Sequence, residues 1–137
     1  MCLMALFLNF LRENIVSTHV LAIALGGACG SVARNILQTT LSTTFIYSIP
    51  LAIISINCIG CFLMGVFFHS GLTPLFVRDL LIVGFLGGFT TFSAFSAEFW
   101  SVLEKSSYAT STLYLLASIA LPLFLFFIGT KVSASLL

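Results

Sequence analysis

The sequence predicts an all-α membrane protein with four spanning helices, the third broken in mid-membrane. Three observations carry this. Of 137 residues, 60% are hydrophobic and 7% charged, against about 25% charged in a soluble domain. Four apolar stretches approach or exceed the roughly 20 residues that cross a bilayer. The third contains GFLGGFTTFSAFS (Gly84–Ser96), whose glycines and hydroxyls a spanning helix ordinarily avoids. A backbone group freed in hydrocarbon must be satisfied by protein or water, so such a break marks a pathway or an ion site.

The first span runs over about residues 16–37 and the second over about 49–68, with Pro50 in the first turn, where proline is tolerated. The third covers about residues 80–103 and the fourth about 110–130. Short polar connections, residues 39–47, 70–76 and 105–107, leave no room between spans for a soluble domain. The organisation is thus an N-terminal extension (1–15), a four-helix transmembrane channel domain (16–131) and a short tail (132–137). Residues 2–10, CLMALFLNF, resemble the apolar core of a signal peptide. They lack its basic flank and a small-x-small cleavage site, so an uncleaved extension, a short interfacial helix ending at Arg12-Glu13, is expected.

The net charge of +1 gives no electrostatic case for nucleic acid. It also leaves orientation nearly unbiased. With four spans, Arg12, Arg78 and Lys131 fall on one side and Arg34 and Lys105 on the other, and Lys/Arg excess is what sets topology. Two readings follow. A partner or the N-terminal segment fixes the orientation, or copies insert both ways and pair antiparallel.

The cysteines are Cys2, Cys29, Cys58 and Cys61. Cys58-x-x-Cys61 lies mid-span without a second pair, so small helix-contact residues are expected rather than a metal or redox site. His19 and His69 sit at span ends, and neither has ligand spacing to another histidine or a carboxylate. Gly26-x-x-x-Gly30 and Gly84-x-x-x-Gly88 are small-xxx-small patterns that permit close helix approach. Gly87 and Gly88, just before two threonines, would in addition soften the third helix at one point.

Asn57 lies mid-way along the second span. Its amide can bridge helices or donate to a passing anion. Arg34, near the end of the first span, can snorkel to the interface or make a vestibule attractive to anions. Glu98 and Glu104 lie in the second half and at the end of the third span. Spans one, two and four hold no central carboxylate, which argues against proton-coupled carriage. Phe92 and Phe95 share a helix face. Aromatic rings have a positive edge, so they either pack or, beside Asn57, stabilise a small dehydrated anion. A full positive charge there would hold the ion too tightly for conduction.

Three blocks in this order, GGACGSVAR (Gly26–Arg34), INCIGCFLMG (Ile56–Gly65) and GFLGGFTTFSAFS, with a weaker YLLAS (Tyr114–Ser118), resemble the CrcB/Fluc fluoride channels over about residues 19–131. The resemblance implies a fluoride-selective channel that exports fluoride from the cytoplasm and so relieves its toxicity. It also implies a multi-pass protein of the cell membrane, working as an antiparallel, dual-topology homodimer with two fluoride pathways. By resemblance, Asn57 donates to fluoride, Phe92 and Phe95 line the pore and Arg34 charges the vestibule. Tyr114 and Ser118 belong to a polar track, with Thr91 and Ser93 as further contributors. A structural sodium ion at the dimer centre would rest on backbone carbonyls of Gly87 and Thr90. Some positions depart from the pattern. Ile53 stands where a hydroxyl often precedes the asparagine, Pro122 where one often follows the serine, and Ala94 replaces a threonine.

Other classes remain open on composition. A small dual-topology drug exporter shares the length, span count and charge balance but needs a carboxylate in its first span, which residues 16–37 lack. A non-transporting assembly subunit explains the hydrophobicity and glycines but not the broken span. No nucleophile, base and orienter set suggests an enzyme.

Overall fold

The structure is a computed structural model that describes residues 18–46, 48–68 and 74–136. The extension 1–15 and His69 lie outside the described residues. Helix α1 (Thr18–Thr40) leads through a short hairpin, β1 (Phe45–Ile46) and β2 (Ile49–Pro50), into α2 (Ala52–Phe68). A third helical run is assembled in pieces: α3 (Leu75–Arg78), a π-helical stretch (Asp79–Leu86), α4 (Gly87–Phe89) and α5 (Phe92–Lys105). Helix α6 (Tyr108–Leu136) closes the chain. The segments Thr18–Thr40, Leu75–Lys105 and Tyr108–Ser135 are each long and apolar enough to cross a membrane, and α2 is a shorter apolar helix.

Two boundaries differ from the expectation, each for a local reason. Pro50 is not in the first turn of α2 but in β2, opposite Phe45. Proline has no N–H to give a ladder and is confined to such edges. The next amide, Leu51 N–H, reaches back 3.1 Å to Thr44 O, so the helix begins only at Ala52. Its 17 residues span about 26 Å at 1.5 Å each, the short end of what crosses hydrocarbon. At the other end, residues 132–136 continue α6 without a break. Pro122 lies inside that helix.

The helices pack as two close pairs. Helix α1 lies along the π-helical stretch and α4, and α2 lies along α6. Glycine decides both contacts. A Cβ on Gly26 would run into the Leu80 carbonyl, and one on Gly30 into the Phe85 carbonyl. The second pair repeats the device, Gly65 facing the Phe126 carbonyl and Gly129 the Phe62 carbonyl. Lipid tails are as apolar as leucine, so close backbone approach is what makes such pairs adhere. At the end of the first pair, His19 Nδ1 lies 2.7 Å from Asp79 Oδ2. The sequence spacing offered His19 no carboxylate; its partner is 60 positions away.

The core forms where α2, α5 and α6 meet. Ile53, Ile56 and Tyr114 are wholly buried there, packed with Phe89, Phe95 and Val102. Outward, Leu21, Leu25 and Ile36 on α1 and Leu113, Leu116 and Leu123 on α6 are exposed. So continuous an apolar surface is a liability in water and the ordinary condition in lipid.

Gly30→Val tests the packing. Its branched side chain meets backbone rather than a movable side chain, so the cost is expected to exceed the roughly 1–3 kcal/mol typical of overpacking. Thermal unfolding of the detergent-purified protein should show a large loss of stability. Wild-type melting would contradict the close approach.

Candidate functional site

The site is organised by two residues that leave the helical path. Thr90 (φ −78°, ψ 151°) and Thr91 (φ −154°, ψ 128°) are extended between α4 and α5. Each polar group near the interruption can be followed to a partner or left without one. Thr90 N–H and Oγ1–H both donate to Leu86 O, at 3.0 and 2.9 Å, closing the end of α4. Thr91 caps α5: its Oγ1 accepts from Ala94 N–H at 3.2 Å, which satisfies one of the free donors of a helix start. Its hydroxyl also lies 3.0 Å from Ser93 Oγ.

Asn57 holds the extended segment from the side. Thr91 N–H donates to Asn57 Oδ1 at 3.0 Å, and Asn57 Nδ2–H donates to Thr91 O at 3.2 Å. The amide thus takes both halves of one residue's backbone, as a neighbouring strand would, and keeps one N–H to spare. Gly60, one turn further along α2, lets this approach happen. A Cβ there would collide with the Thr90 methyl.

The opposite side of the interruption is held from α1. Arg34 Nε–H donates to Gly88 O at 3.3 Å, and Ser31 Oγ–H reaches the same oxygen at 3.5 Å. Gly88 itself sits against the backbone of Gly27. Two neighbouring carbonyls fare differently. The helical donor for Gly87 O would be Thr91 N–H, which goes to Asn57. The donor for Thr90 O would be Ala94 N–H, which goes to the Thr91 side chain. Both carbonyls are therefore released from helical bonding.

Beside the interruption is a cavity of about 320 Å³ lined by Asn57, Thr90, Thr91, Phe92, Phe95 and Ser118, together with Cys61 and Pro122. Phe92 and Phe95 meet at 5.2 Å between ring centres and 52° between planes. Phe95 is buried, whereas Phe92 is 74% exposed. Ser118 Oγ is buried beside the Tyr114 hydroxyl, one turn earlier on α6, without a well-aligned hydrogen bond to it. Pro122, one turn on, has no N–H to offer the Ser118 carbonyl. The serine is the one hydroxyl that α6 contributes to the cavity wall.

Of the residues singled out from the sequence, Asn57, Phe92, Phe95, Ser118, Thr90 and Thr91 come together here. Tyr114 does not line the cavity. It stacks on Phe95 at 5.9 Å and Phe99 at 6.4 Å, and its hydroxyl donates to Glu98 Oε2 at 2.6 Å. Arg34 does not line it either, being engaged on Gly88 O. Cys61, expected only as a helix-contact residue, is part of the wall; it lies one turn after Asn57, which was the available signal. Ile53, one turn before Asn57, is wholly buried in the apolar core, so the polar lining of α2 stops at Asn57.

Comparison with known proteins identifies the family. The family described as CrcB-like protein, Camphor Resistance (CrcB), matches residues 21–130. A protein of Geobacter sulfurreducens named fluoride-specific ion channel FluC is 42% identical over 108 residues, covering 76% of this chain and 87% of the relative. The like-named protein of Aquifex aeolicus is 38% identical over 121 residues, covering 85% and 98%. That of Hahella chejuensis is 36% identical over 110 residues, covering 77% and 87%. With the three sequence blocks gathered around one interruption and the match spanning most of the chain, this protein belongs to the CrcB family.

Proposed function

We infer that the chain forms a fluoride-selective ion channel of the cell membrane, exporting fluoride from the cytoplasm. It is a transporter and not an enzyme. The observation that carries the reading is the cavity beside Thr90 and Thr91, where an amide donor, two phenylalanine rings and a buried serine hydroxyl converge without a charged side chain. Fluoride is small and a strong acceptor of hydrogen bonds, so replacing its water requires donors at close range. The spare N–H of Asn57 and the Ser118 hydroxyl supply them. The positive edges of Phe92 and Phe95 add weak attraction, and weakness lets the ion leave.

On this reading α2, though short, also crosses the membrane as the second of four spans, and the run Leu75–Lys105 is one span interrupted at mid-membrane depth. The working unit is an antiparallel homodimer with dual topology. Two observations support it. The Lys/Arg balance across the bilayer is nearly even. Helix α5 also presents Phe92, Ser93 and Ser96 as an exposed stripe, and hydroxyls at that depth call for protein or water rather than lipid.

A structural sodium ion fits the same centre. The Gly87 and Thr90 carbonyls have lost their helical donors to Asn57 and Thr91, and stranded carbonyl oxygens are the ligands a hard cation takes. Two antiparallel copies would contribute two carbonyls each. No acidic side chain lies between Gly84 and Ser96, which favours a monovalent ion. Its role is to hold the assembly together, while fluoride is the transported species.

Three measurements test these statements. Fluoride efflux from proteoliposomes should fall roughly three- to tenfold in Phe92→Ile and Phe95→Ile, which keep apolar bulk and lose the ring edge. Wild-type efflux in both would remove the rings from the mechanism. A cysteine appended after Leu137 in a cysteine-free background should be labelled from both sides of the membrane; labelling from one side alone would exclude the dual-topology homodimer. Exhaustive replacement of sodium by a large organic cation should weaken dimer association and lower flux. If neither changes, the carbonyls are satisfied by water and the sodium site is wrong.

A further inference from the structure

At its hairpin end α2 stops short of the membrane surface. Asn57 stands at the level of the interruption, bonded to Thr91. From there back to Ala52, where α2 starts, is about 7.5 Å at 1.5 Å per residue. Half of a hydrocarbon core is about 15 Å. The hairpin makes up the difference, tied to α2 by Leu51 N–H on Thr44 O at 3.1 Å. Helix α5 gives its level. From Thr90 to Trp100 is about 15 Å by the same rise, and Phe45 and Ser48 of the hairpin border one cavity with Ser101 and Lys105, just beyond Trp100.

At that level the hairpin turns an apolar strand outward. Ile49 in β2 is buried, whereas Phe45 and Ile46 in β1 are 57% and 53% exposed. Consecutive strand residues point to opposite faces, so β1 is uncovered on both, and β2 is its only strand neighbour among the described residues. An edge strand that meets water is ordinarily guarded by charge, lysine above all. Here no Asp, Glu, Lys or Arg occurs between Arg34 and Arg78. Hydrocarbon is equally unsuitable, because the open edge of β1 carries backbone groups that lipid tails cannot satisfy. The layer that suits both is the boundary where acyl chains meet headgroups. Two neighbours have the same character: Trp100 and Tyr108 are exposed, and these residue types collect at membrane–water boundaries. At the adjoining end of α1 the Thr39 and Thr40 hydroxyls donate to Asn35 O and Ile36 O of their own helix, which satisfies them without bulk water.

We propose that the β1–β2 hairpin is an interfacial anchor whose partner is the lipid headgroup boundary, with Phe45 and Ile46 inserted beside the acyl chains at the level of Trp100. This rests on the mid-membrane placement of the interruption inferred above. The open backbone edge limits how deep β1 sinks, and the apolar side chains limit how far it rises. Through the bond between Leu51 and Thr44 the anchor holds the start of α2, and with it Asn57, at a fixed depth.

Depth-dependent fluorescence in proteoliposomes tests this. Trp100 is the chain's one tryptophan, so the wild type reports its level directly, and Phe45→Trp in a Trp100→Phe background reports the hairpin's. Ile46→Trp in the same background is a second reporter should the Phe45 variant fail to fold. Lipids brominated near the headgroup end of the acyl chain are expected to quench both tryptophans roughly twofold more strongly than lipids brominated near the chain terminus. Aqueous acrylamide should quench the hairpin tryptophan roughly threefold less than tryptophan free in water. Strong acrylamide quenching without lipid quenching would put the hairpin in water, and strongest quenching from the chain terminus would put it in hydrocarbon; either overturns the anchor. Blue-shifted emission that neither lipid nor acrylamide quenches would give β1 to a second copy of the chain and overturns it too. A Trp100 quenched most from the chain terminus overturns the mid-membrane placement of the interruption and this inference with it, whereas a boundary Trp100 with the hairpin tryptophan elsewhere overturns the anchor alone.

Discussion

Inside hydrocarbon no water waits to satisfy a freed amide or carbonyl, and the interruption at Thr90 and Thr91 is arranged around that constraint. Leaving the helical path there frees several backbone groups at once. Leu86 takes the Thr90 donors, Thr91 caps the next helix with its own hydroxyl, and Asn57 takes both backbone groups of Thr91. From α1, Ser31 and Arg34 converge on Gly88 O. These partners come from three helices, so the interruption is stable only when all three are in place. An unmade bond to a buried group costs about 1–3 kcal/mol, which makes the arrangement cooperative.

That convergence depends in turn on glycine. Arg34 reaches Gly88 only because Gly26 and Gly30 let α1 lie against the backbone of residues 80–89, and Thr90 reaches α2 only because Gly60 has no side chain. The small residues therefore do more than promote adhesion. They set the distance at which polar side chains of one helix meet the open backbone of another. The same closeness puts the Phe92–Phe95 pair beside Asn57 and Ser118, so the wall of the cavity and the repair of the interruption share residues. Asn57 belongs to both, with one face of its amide committed to Thr91 and one N–H left over.

Much of this was legible along the chain. Composition and run length located the membrane segments, and the cluster of glycine, threonine and phenylalanine in residues 84–96 marked where helix would fail, because each of those signals is local. Other features were not. Arg34 read as a cation that snorkels to the interface or charges a vestibule; its bond to a backbone carbonyl 54 positions away had no signal along the chain. His19 read as unpaired for the same reason. Pro50 read as a helix start, because proline suits a first turn, and only the return of the chain from Phe45 places it in a strand. The contacts of Tyr114 were equally out of reach: its ring stacks on Phe95 and Phe99 and its hydroxyl donates to Glu98, all from another helix.

The sequence by itself determined the helical, apolar class and the three helices long enough to cross a membrane, because hydrophobic run length and backbone propensity act between near neighbours. It also carried the family, through three motifs in fixed order. Only the tertiary structure decided which polar group answers each open backbone group, and so which residues are free to meet an ion. Hydrogen bonds are directional and short, and those that matter here join residues 34 to 57 positions apart, a relation set by how closely glycine lets the helices approach.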